Sequence, residues 1–149
     1  KKAIEKLKNN KKFIKKTYKT SFDNDGFSLG TAIDVNQDGK TYVAWNWKAN
    51  GQGSSNTDGS INTTYTSASA TSGFSIVQYT GTGSNATVGH GLSTAPNLVI
   101  IKRTNGTQSI RVGTGLIGWD NVLYLDTTNA SGSGATSFNS TATTNQVLS

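Results

Sequence analysis

At 149 residues, with 33% hydrophobic residues and 17 glycines, the chain is long enough for one domain with a real core and too short for two comfortable ones. It contains no cysteine, which excludes disulfides, thiolate metal sites and a cysteine nucleophile, and no apolar run approaches the ~18 residues needed to span a bilayer. The net charge of +6 is unevenly placed: residues 1–19 hold nine lysines against Glu5, so the rest is nearly neutral and weakly acidic.

Within residues 1–19, Ile4, Leu7 and Ile14 sit at roughly helical spacing among the lysines. The pattern is that of a short cationic amphipathic helix, broken near Asn9 and Asn10. Lys8, Lys11, Lys12, Lys15 and Lys16 are its candidate anion-binding residues, facing nucleic acid or an anionic lipid surface. A solvated arm is the favoured reading, because no aromatic stacking platform or arginine fork accompanies the lysines.

From Thr20 the period changes to two. Strands are predicted over 27–30, 41–49, 61–66, 73–80, 86–89, 97–103, 108–112 and 121–125, with another at 145–148. In 41–49 the alternation puts Val43, Trp45, Trp47 and Ala49 on one face, and the indole pair is expected to be sealed in a sheet-on-sheet core. The run Leu98-Val99-Ile100-Ile101 predicts a central strand covered on both sides.

Asp38-Gly39 and Asn105-Gly106 predict hairpin turns between extended runs. Pro96 stands just ahead of its strand, where a missing N–H does no harm. Short strands at this spacing argue for an all-β module over 20–126, a β-sandwich or jelly-roll. Residues 127–149 read as a Ser/Thr-rich end. There Thr136-Ser137-Phe138 echoes Thr20-Ser21-Phe22, as the start of a truncated second repeat would.

Four patterns invite chemistry. Asp34-Val35-Asn36-Gln37-Asp38-Gly39 matches the first half of a calcium loop, but the twelfth position, where a bidentate Glu belongs, is Trp45; a polar turn is the better account. Gly81-Thr82-Gly83-Ser84-Asn85-Ala86 fits a dinucleotide fingerprint that needs a following helix, whereas Ala86-Thr87-Val88 continues as strand-type sequence. His90, the single histidine, lies between two glycines with no triad signature nearby, and reads as a hydrogen-bonded turn residue. The seven aspartates of the body are not paired as glycoside hydrolysis requires.

No catalytic residue, metal ligand or cofactor site is therefore assigned. Exposed aromatics remain as candidate ligand-binding residues, since a sugar's C–H face packs on such rings. These are Trp119, Tyr65 and Tyr42, with Tyr79 beside them, weighed against ordinary core packing.

Three segments in order carry a family likeness: Ser21-Phe-Asp-Asn-Asp-Gly-Phe-Ser-Leu-Gly-Thr31, then Asp34-Val-Asn-Gln-Asp-Gly-Lys-Thr-Tyr-Val-Ala-Trp-Asn-Trp-Lys-Ala49, then Gly73-Phe-Ser-Ile-Val-Gln-Tyr-Thr-Gly-Thr-Gly-Ser-Asn-Ala-Thr-Val-Gly-His-Gly-Leu92 running into Ala95-Pro96-Asn-Leu-Val-Ile-Ile-Lys102. In these the chain resembles tail-fibre-like virion proteins of bacteriophages, especially those of marine bacteria. The resemblance covers 20–103. It implies a tandem β-rich structural module, other virion proteins and further copies as partners, and a host-surface glycan as a candidate contact. Residues 1–19 depart from that family, and no catalytic residues come with the likeness.

Overall fold

A computed structural model describes residues 19–23, 26–47, 50–133 and 137–149. The lysine arm, with Lys8, Lys11, Lys12, Lys15 and Lys16, lies outside them. The chain divides into two compact units, Lys1–Asn46 and Trp47–Ser149.

In the first unit β1 (Lys19–Phe22) and β2 (Phe27–Leu29) pair antiparallel, Phe22 opposite Phe27, and the Asp23 amide closes the turn on the Gly26 carbonyl at 2.9 Å. One helical turn follows, α1 (Ile33–Asn36), flanked by extended residues and lacking a side-chain N-cap. Nothing in its sequence supplies more than Asp34 in the first turn, so it ends after four residues.

The described residues of the second unit form three sheets. The hairpin of β3 (Tyr65–Ser69) and β4 (Phe74–Gln78) turns through Gly73 at φ +65°, where a Cβ would be disfavoured. Strand β5 (Val88–Gly89) pairs with the last strand, β10 (Val147–Leu148). A four-stranded antiparallel sheet runs in order β6 (Leu98–Ile101), β7 (Arg111–Thr114), β8 (Asn121–Tyr124) and β9 (Gly132–Ser133). Among the described residues the fold is thus all-β apart from α1. Its sheets are small and separate, rather than two broad facing layers.

Register decides which side of the four-stranded sheet is buried. Val99 lies opposite Gly113, and Ile101 opposite Arg111, itself opposite Tyr124. This face meets Phe138, and Val99, Val122 and Phe138 form the buried core, with Ile101, Trp119, Tyr124 and Leu148 packed around it. Phe138 needs Gly113 beneath it: a Cβ there would lie 2.8 Å from the ring. Gly113→Ala is accordingly expected to lower stability by about 1–3 kcal/mol through overpacking, read as a lower urea midpoint at unchanged slope. Arg111 helps to hold the segment. Its Nη1 donates to Ser137 Oγ at 2.8 Å, and its guanidinium sits 5.7 Å from the centre of the Tyr124 ring.

Three expectations are corrected here. Trp45 and Trp47 are not sealed in a core: they are 76% and 60% exposed, and residues 41–47 form no strand. The 97–103 run is not a central strand covered on both sides. β6 is an edge strand, and Leu98 and Ile100 face outward. The Asn105-Gly106 signal does mark a hairpin, yet the connection from β6 to β7 is a long loop rather than a tight turn, knitted by Arg103 to Asn105 and Gln108.

Candidate functional site

Residues 42–47 form a continuous exposed run that contains four large apolar side chains. Val43 is 75% exposed beside Trp45, and no backbone group of residues 41–47 has a hydrogen-bond partner among the described residues. The segment is held at points along its length. The Tyr42 hydroxyl donates to the Ile33 carbonyl at 2.9 Å and accepts from the Gln37 amide at 3.1 Å. Trp47 stacks on Phe74 of β4, with centroids 5.4 Å apart and planes 7° from parallel.

The other sequence candidates are scattered. Tyr65 stands exposed on β3 opposite Gln78. Trp119 is half-buried and meets Phe138 edge-on at 5.9 Å, so much of its indole serves the core. Neither lines the hollow described next.

That hollow, of about 190 Å³, opens under the loop 81–86 singled out by its glycine spacing. The loop runs into β5 and starts no helix, so it offers no pyrophosphate seat. Ile61, Val88, Ile101, Leu148 and Phe138 supply the apolar wall, and the hydroxyl and amide groups of Thr82, Ser84, Asn85 and Asn139 supply the polar one. Asn85 Nδ2 donates to Asn139 Oδ1 at 3.0 Å, which fixes one corner. No Lys, Arg, Asp or Glu among the described residues lines it. Sequence reasoning missed this grouping, because Phe138 and Asn139 come from a distant, Ser/Thr-rich stretch.

Tyr79 stands at the wall of the hollow, half-buried, and burial pushes its phenol above the ordinary value of 10.0. A raised value means the folded state holds the proton more tightly than the unfolded one. Stability from this group is therefore complete below about pH 10 and is lost as pH rises through the folded value. Tyr79→Phe is expected to remove that part of the alkaline slope, and tyrosinate absorbance during titration reads the shift directly.

His90 is a tie between strands. Leu92 N–H donates to its Nδ1 at 3.0 Å, which leaves Nε2 as the protonated nitrogen, donating to the Thr144 carbonyl at 3.1 Å. Its amide donates to Gln146 and its carbonyl accepts from Ser75 Oγ, so β4, β5 and the segment before β10 meet at one residue. The ring is buried, and among the described residues it has no acidic partner.

The carboxylates are engaged locally. Asp126 accepts from the Ile110 amide, Asp120 from Asn121, and Asp58 from Asn56. In the half-matched calcium loop, Asn36 Nδ2 is bonded to the Gly30 carbonyl. Among the described residues no three His, Asp or Glu come together as metal ligands. Nor is any helix of the described chain long and apolar enough to cross a membrane.

A family model described as "Domain of unknown function (DUF7483)" matches residues 1–149. No curated protein and no solved structure matches the chain.

Proposed function

We propose that this chain, which belongs to the DUF7483 family along its whole length, is a non-enzymatic structural module of a bacteriophage virion. Its place is a tail fibre or similar appendage, where it presents a surface and works by contact. The observation that carries the contact reading is the open segment 42–47, which displays Val43 and Trp45 where a soluble monomer would cover them. The virion setting comes from the likeness of residues 20–103 to tail-fibre-like proteins. Further copies of the chain and other virion proteins are the partners. The lysine arm is a subordinate contact for nucleic acid or anionic lipid.

Density-purified infectious particles provide the test. Peptides of the chain are expected to co-sediment with infectivity, and gold-labelled antibody is expected to mark an appendage. Particles lacking the chain would overturn the virion assignment.

A second reading is supported by the hollow beneath residues 81–86. Its apolar wall, uncharged hydrogen-bonding groups and Tyr79 suit a neutral hydroxylated ring such as a sugar, making the chain a carbohydrate- or receptor-binding module. A glycan array tests it. Binding is expected to fall with Tyr79→Phe or Asn85→Ala if the hollow is used, and with Tyr65→Ala if the exposed ring is used. Trp119→Ala is a poor probe, since it also strips the core. A blank array removes this reading and leaves the first intact.

A further inference from the structure

The second unit presents an edge that its own sheet leaves open. The Gly115 amide bonds to the Asn97 carbonyl, so by antiparallel alternation Val99 and Ile101 direct their backbone groups toward β7. The bond from Leu125 N to the Ile110 carbonyl gives β7 the matching phase toward β8. Leu98 and Ile100 must then turn their N–H and C=O groups away from the sheet. Among the described residues nothing bonds to them. Their side chains are 58% and 50% exposed, whereas Val112, beside Ile100 on the same face, is buried, so the open apolar surface is confined to the edge strand. An apolar edge of this kind is a template for one more strand.

The same chain carries a segment with the complementary need. Thr41–Trp47, as an extended strand, would put Val43, Trp45 and Trp47 on one face and Tyr42, Ala44 and Asn46 on the other, and its backbone has no partner among the described residues. One molecule thus displays both a strand without a sheet and a sheet edge without a strand. Other edges fit less well: β9 is a Gly-Ser pair, and β4 offers Ile76 as its one strongly exposed apolar residue.

We propose that residues 41–47 of one copy add as a strand to the outer edge of β6 in a second copy, Val43 and Trp45 covering the face of Leu98 and Ile100. The joint is heterologous, so each copy both gives and receives, and assembly runs head to tail. This deepens the multi-copy part of the function proposed above, but does not need the glycan or virion setting to hold.

Two variants separate the halves of the joint. Val43→Lys combined with Trp45→Lys spoils the donor at positions already in solvent. Ile100→Pro removes the outward N–H of the acceptor while leaving the β6–β7 bonds made by Val99 and Ile101. Ile100→Lys is the second acceptor variant, should proline disturb folding.

Sedimentation velocity of the full chain, from about 1 to about 100 µM, is expected to show mass growing with concentration. Each variant is expected to weaken association at least about tenfold while retaining its circular dichroism. An equimolar mixture of donor-deficient and acceptor-deficient chains is expected to form a 1:1 pair and stop there. A wild-type chain that stays monomeric overturns the proposal. So do variants that associate as the wild type does, or a mixture that fails to pair.

Discussion

Replacing Phe138 with alanine is expected to cost the Trp47–Ser149 unit about 3–5 kcal/mol, the range for a buried aromatic ring removed from a core. The effect should sit at the upper end, because the ring fills space that cannot close. Val99 and Val122 flank it, Gly113 has no side chain to move in, and Trp119 rests edge-on against it. With a typical domain stability of about 5–15 kcal/mol, the variant should melt at least about 15 °C lower. Calorimetry on the whole chain reads this. A shift of a few degrees would mean that Phe138 is not the centre of the core.

His90→Ala should come next, at about 2–4 kcal/mol, and for a different reason. The loss is less of packing than of partners: the Leu92 amide and the Thr144 carbonyl would both be left without their bonds in a buried place. The substitution can be dissected. Asparagine places an oxygen near the site of Nδ1 and should keep the Leu92 bond while losing the one to Thr144. His90→Asn is therefore expected to fall between wild type and alanine. Amide exchange at Leu92 should stay slow in the asparagine variant and quicken in the alanine one. Equal loss in both would refute the assigned roles of the two ring nitrogens.

What could be read from the chain was mostly local. The period of two located β2, β4, β6, β7, β8 and β10 to within a few residues. A turn does form at Asp38-Gly39, closed by Lys40 N to the Gln37 carbonyl with Gly39 at φ +69°, but it joins α1 to residues that form no strand and is not the hairpin expected. Strand β9 escaped because Gly132-Ser133 has no apolar signal; it exists through pairing with Asn121 and Val122. α1 escaped because four residues carry no helical period.

The failure over 41–47 is more instructive. Alternation and aromatic content report that a segment would do well in a sheet, but they do not say which molecule owns the sheet. The same holds for Leu98 and Ile100, whose apolar character was read as two-sided burial and belongs instead to an exposed edge strand. The hollow under 81–86 was invisible because Phe138 and Asn139 reach it only after the chain returns from far away. The wall loop itself was noticed, for a fingerprint it does not satisfy.

The tie made by His90 bears on how the protein is born. Its ring finds the Thr144 carbonyl at a sequence separation of 54, and Val88 pairs with Leu148 at a still longer one. A two-stranded ribbon has little standing alone in water, so an emerging nascent chain could not hold β5 in place for the time its partner takes to be translated. Acquisition of the native state must then trail synthesis, at the slow pace typical of distant β contacts.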